Sequence, residues 1–216
     1  ASKLRAAERQ LLITGLALMF LYTWPIDLAN SGVLPLRFPF AIYITLGWGF
    51  IFASLLVSGL AQGRAGVLAL LKRYLIWRVG WQWYLAAGGL FPVLFAASVG
   101  LQAFLSGNPV DFSAAYAQRI FGPAASLPLL ALPFLLFEAI TNGEEMGWRG
   151  FVLPRLQAKY NALAASLVLG LIWGLWHLPK FLAPGFTTPL GWFLLKMLAE
   201  AVLYTWLYNN TRGSLL

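Results

Sequence analysis

Apolar residues along this chain fall in long unbroken runs, with no alternation of period two and no narrow one-face stripe. Residues 38–61, 81–105, 120–137 and 160–179 are each near or above the ~18 residues that cross a hydrocarbon core. Two further runs are less clean: 11–24 is short, and 190–207 carries Lys196 and Glu200. Counting both as spans gives six. The tail Thr211-Arg212-Gly213-Ser214-Leu215-Leu216 then reads as a turn into the start of a seventh apolar segment. The pattern predicts an all-α fold, a polytopic transmembrane helical bundle of about six spans that lacks its C-terminal helix.

No linker, charge block, low-complexity tract or repeat interrupts the series, so residues 1–216 are expected to form a single integral-membrane domain. Composition agrees: 60% of residues are hydrophobic, 10% are charged and mean hydropathy is +0.75. A globular chain has about a quarter of its residues charged. The absence of cysteine excludes a disulfide framework, a thiolate metal site and a cysteine nucleophile. No signal peptide is read, and a chain that starts at Ala1 and stops at Leu216 is expected to be incomplete at both ends.

The net charge of +8 would suit nucleic acid, but its distribution points to a lipid bilayer instead. Lys3, Arg5 and Arg9 precede the first span; Arg64, Lys72, Arg73 and Arg78 lie between the second and third; Arg149, Arg155 and Lys159 lie between the fourth and fifth; Arg212 follows the sixth. The alternate loops hold Arg37, Arg119 and Lys180. The positive-inside rule makes the N-terminus cytoplasmic. Residues 65–81, with Lys72, Arg73 and Arg78 among Leu, Ile and Trp, read as an amphipathic helix on that interface. The Trp and Phe residues read mainly as lipid-facing or interfacial anchors.

An ionisable side chain at membrane depth costs about 2.5 to 3.5 kcal/mol on insertion scales, so each marks a candidate site. Glu138, Glu144, Glu145, Arg149, His177, Lys196 and Glu200 qualify. A helix entering near residue 127 and a second leaving near Tyr160 make a hairpin over about 127–179. Glu144 lies 16 residues before its tip and His177 lies 17 after, so antiparallel packing puts them at one level. Glu145 and Arg149 are i and i+4 and share a face as an internal ion pair, which turns Glu144 elsewhere. Trp173 and His177 are also i and i+4, placing an aromatic wall beside the imidazole. Lys196 and Glu200 read most simply as another neutralising pair. A carboxylate and an imidazole at one level can deprotonate a water. One histidine without cysteine cannot build a His-rich zinc site.

Glu144-Glu145-Met146-Gly147-Trp148-Arg149 resembles the EExxxR motif of the CAAX protease and bacteriocin-processing family, the intramembrane glutamic endopeptidases also called CPBP or Abi proteins. Trp173-Gly174-Leu175-Trp176-His177 resembles the family's FxxxH motif with Trp in place of the usual Phe. The resemblance is closest over 143–179 and extends more weakly over most of the chain. It implies a protease-like domain that hydrolyses peptide bonds without metal or other cofactor. Glu144 matches the general base, His177 the residue that binds and polarises the water, and Glu145 and Arg149 the positions that orient the site. The family ordinarily adds an HxxxN-type motif on a later helix to stabilise the oxyanion; that helix would lie beyond Leu216. The expected substrate is a peptide or small membrane protein, and the expected location a bacterial inner membrane. Two other readings stay open: a non-catalytic binding or bacteriocin-immunity protein using the same cavity, and a small transporter with Glu144 and His177 as a proton relay.

Overall fold

The computed structural model describes residues 2–39, 42, 45–107, 109 and 143–215, and every regular element among them is helical. They are α1 (Ser2–Asn30), α2 (Trp48–Leu71) with a tighter 3₁₀ turn at Lys72–Leu75, α3 (Trp81–Ser106), a wide π-helical turn at Met146–Val152 leading into α4 (Leu153–Gln157), α5 (Ala162–Trp176) with a 3₁₀ turn at Leu178–Leu182, and α6 (Leu190–Asn210). The run at 120–137, the first arm of the hairpin from 127, Arg119 and Glu138 lie outside the described residues.

Among the described residues, four helical segments are long and apolar enough to cross a membrane: Ala6–Asn30, Trp48–Leu75, Ala162–Leu182 and Leu190–Asn210. The protein is a multi-pass membrane protein. Its outward side chains suit hydrocarbon, with Leu21 71% and Leu60 79% exposed.

The chain forms two compact units, residues 79–140 and the remainder. The described part of the smaller is essentially α3, an uncharged 26-residue helix closed by Gly107 in the left-handed region. The larger holds α1, α2 and α4–α6 around Met19, Phe50, Trp148, Phe151, Leu169 and Trp176.

Two expectations change in this larger unit. The first span is not short: α1 passes through Pro25 and runs to Asn30, beyond the predicted limit at Trp24. It is held there because Thr23 and Trp24 both bond to Trp176. In the second span the described helix α2 starts at Trp48, and it breaks at Gly63, whose φ of 61° and ψ of −152° suit glycine alone. The interfacial helix foreseen over 65–81 stops at Leu75. Residues 76–80 are irregular because the C-terminal turn takes their polar groups: Ser214 Oγ donates to the Ile76 carbonyl at 2.7 Å, and the Arg212 guanidinium donates to the Arg78 carbonyl.

Helix α5 begins where Asn161 accepts a hydrogen bond from the Ala164 amide at 2.9 Å, a side-chain N-cap. It ends at His177, just before Pro179. This cap and this stop set the height of the Trp173–His177 stretch on the helix.

Candidate active site

From Glu144 the chain enters a helical turn that widens at Met146–Val152 into π geometry, and every residue of that turn is buried. Such turns are rare and recur at functional sites. Glu144 Oε2 accepts hydrogen bonds from the indole Nε1 of Trp148 at 3.4 Å and of Trp173 at 3.3 Å. Trp148 comes from the carboxylate's own turn and Trp173 from α5.

Glu145 and Arg149 form the expected i, i+4 pair, with Nη1 and Oε1 2.8 Å apart. The two are unequally buried, the Arg149 side chain being 2% exposed and that of Glu145 35%. The guanidinium sits in the corner between two rings in edge contact with each other, 4.4 Å from the Trp173 ring centroid and 4.3 Å from that of Tyr204 on α6.

His177 caps α5, and its Nδ1 lies 2.9 Å from the Trp173 carbonyl oxygen. A carbonyl only accepts, so Nδ1 carries the proton and the neutral ring presents Nε2 as an acceptor. Trp176 and Phe193 pack edge-on against the imidazole at 4.5 and 5.2 Å between centroids, and Trp173 lies 6.0 Å away. Trp176 is itself fixed to α1: its Nε1 donates to Thr23 Oγ1 at 2.6 Å, and its carbonyl accepts from Trp24 Nε1 at 3.0 Å. One turn further on, the Lys180 ammonium sits 5.5 Å from the centre of the Trp176 ring.

Glu144 and His177 are thus joined through a third residue, Trp173, whose indole bonds to one and whose carbonyl bonds to the other. The hairpin count placed Glu144 level with His177, whereas its hydrogen bond is made one turn earlier on α5. A π turn gains less length per residue than an α-helix, which shortens the arm that carries Glu144. Lys196 and Glu200 pair as expected at 2.9 Å, one turn beyond Phe193 on α6.

The lipid-anchor reading of the aromatics fails for Trp148 and Trp176, which are 0% and 1% exposed, whereas Trp173 stands beside the imidazole as expected. Sequence reasoning missed Trp148 as a partner of Glu144, although its i+4 spacing is a usable signal. It also missed Tyr204 beneath Arg149, which no local pattern announces. Asp27, only 8% exposed and near the end of α1, was overlooked because the predicted span stopped at Trp24.

Residues 124–216 match the family described as type II CAAX prenyl endopeptidase Rce1-like. The CAAX prenyl protease 2 of Methanococcus maripaludis is 30% identical over 136 residues, which cover 58% of this chain and 50% of that protein. The chain therefore spans about half the length of the curated relative it matches. Glu144, Glu145, Arg149, Trp173 and His177 all fall inside the family match.

Proposed function

With the CAAX protease family supported for this chain by both matches, we propose that it acts as an intramembrane endopeptidase in which Glu144 takes a proton from a water held by His177. The observation that carries this reading is the single residue, Trp173, bonded to both groups. A water between them gives one hydrogen to the Glu144 carboxylate and the other to His177 Nε2. Its oxygen attacks the scissile carbonyl carbon, the C–N bond breaks, and the proton held by Glu144 passes to the departing amine. Glu145 and Arg149 support the site without touching the water. The chain works as one integral-membrane, glutamic-peptidase-like domain, and no metal ion is needed for this chemistry.

The substrate class is a peptide or small membrane protein that reaches the site from within the bilayer, and the location is a bacterial inner membrane. The N-terminus is cytoplasmic. In support, Glu8 at the start of α1 lies 3.7 Å from Arg155, and the C-terminal turn is bonded to residues 73–78. Arg155 thus stands at the start of α1, and Arg73, Arg78 and Arg212 are gathered by the C-terminal turn, in the loops to which the positive-inside rule assigns the cytoplasmic side.

The test is cleavage of a membrane-presented peptide library by the full-length protein in lipid nanodiscs, beside Glu144→Gln and His177→Ala. Loss of the catalytic base or of its partner should lower kcat by about 10²-fold or more. Wild-type cleavage by both variants refutes the assignment. Tight peptide binding with no cleavage by the unaltered protein replaces it with the immunity reading.

A further inference from the structure

The usual Phe of the family's second motif has no hydrogen to donate, whereas Trp173 of this chain does. Its indole N–H reaches the same oxygen of Glu144 that Trp148 reaches from the other side. We propose that Trp148 and Trp173 are positioning residues that together hold the Glu144 carboxylate through Oε2, with Arg149 set against the Trp173 ring, so that the carboxylate is aimed at the attacking water. This inference rests on the proposed protease reading and adds to it the way in which the base is aimed.

Three observations support it independently of family. Both donors address one oxygen, at 3.3 and 3.4 Å, one from the carboxylate's own turn and one from α5, so the carboxylate is tied to two segments at once. Next, the Trp173 ring is held by both the Arg149 guanidinium, 4.4 Å from its centroid, and the Tyr204 ring in edge contact with it, which together restrict the indole plane and so the direction of its N–H. Finally, the Trp173 carbonyl orients His177, so one residue sets both the base and the imidazole.

The arrangement also assigns a purpose to the second glutamate of the motif. Glu145 holds Arg149, Arg149 holds the Trp173 ring, and Trp173 holds Glu144. The support pair acts on the base through an aromatic ring on another helix, and not by direct contact with the water.

The experiment replaces Trp173 in the full-length protein with β-(3-benzothienyl)alanine, which keeps the bicyclic shape and the face offered to Arg149 but has no N–H. Trp173→Phe and Trp148→Phe are measured beside it. We expect kcat to fall about ten-fold for each lost donor, the usual scale for a hydrogen bond to a charged group, with KM within two-fold and the unfolding midpoint of the benzothienyl variant unchanged. Wild-type kcat in the benzothienyl variant overturns the inference, as does a fall that comes entirely with a lowered unfolding midpoint. Glu144→Gln separates the two levels of argument. If it abolishes cleavage while the benzothienyl variant is fully active, the positioning role alone falls; if it leaves cleavage intact, the protease reading falls and this inference with it.

Discussion

Glu145→Ala is expected to destabilise this protein more than Arg149→Met, although the two substitutions break the same ion pair. The reason lies in their unequal burial, 35% exposed for the glutamate side chain and 2% for the arginine. At a separation of 2.8 Å and an effective dielectric of about 20, the gross attraction is about 6 kcal/mol. Removing Glu145 leaves a buried guanidinium whose Nε and Nη2 already have no hydrogen-bond partner among the described residues. Its remaining support is the two ring faces of Trp173 and Tyr204. Stranding a buried charge in this way costs about 3 to 5 kcal/mol, and about 3 is expected because those faces continue to stabilise the cation. Arg149→Met removes the buried charge together with its desolvation cost and leaves the less buried member of the pair, for a loss of about 1 kcal/mol. The double variant should resemble Arg149→Met, not the sum of the singles. Unfolding in mixed micelles of dodecyl maltoside and sodium dodecyl sulfate, followed by tryptophan fluorescence, measures all three. A Glu145→Ala cost at or below that of Arg149→Met, or additivity in the double variant, refutes the reasoning.

Two further outcomes follow from close approach and backbone geometry, each read as a change in unfolding free energy in the same micelles. A Cβ at Gly170 would lie 3.0 Å from Leu198 Cα and 3.1 Å from the Met197 carbonyl, both backbone atoms of α6, so Gly170→Val should cost about 2 to 3 kcal/mol. Gly174→Ala, which meets the end of the flexible Leu194 side chain, serves as the control and should cost under about 1 kcal/mol. Gly63→Ala places a side chain at φ 61° and ψ −152° and should cost about 1 to 3 kcal/mol, whereas Gly88→Ala, with open space around its Cβ, should not destabilise.

The helices were legible because an apolar run of span length has few other uses, and the Glu145–Arg149 pair because i, i+4 geometry is local. What escaped depended on tertiary contact. The end of α1 was misplaced because Pro25 and Asp27 look like the edge of a span, yet Thr23 and Trp24 dock on Trp176 and carry the helix onward. The two motifs of the site could be brought to nearly one level from the hairpin count. The residue that joins them could not be named, since nothing in the order of residues says that Trp173 would turn its N–H to Glu144 and its carbonyl to His177. The aromatic residues were the largest misreading. Tryptophan is common at membrane surfaces, but an indole inside the protein also needs an acceptor, and Trp24, Trp148 and Trp176 each find one inside the larger unit.

That misreading bears on how a glutamate can be held ready as a base in so apolar a chain. A lysine or arginine in contact would stabilise the carboxylate but also bring a full charge that opposes its taking up a proton. A serine, histidine or asparagine would offer donors together with acceptors that compete for the water's hydrogens. Indole is donor-only and does not titrate, and its bulk is apolar enough to fill the surrounding core. Two indoles on one oxygen can therefore orient the carboxylate without adding an acceptor or a charge, while the positive charge of Arg149 lies against the Trp173 ring. The Trp at the position where the related motif has Phe is, on this account, the change that lets the aromatic wall act as a hydrogen-bond donor.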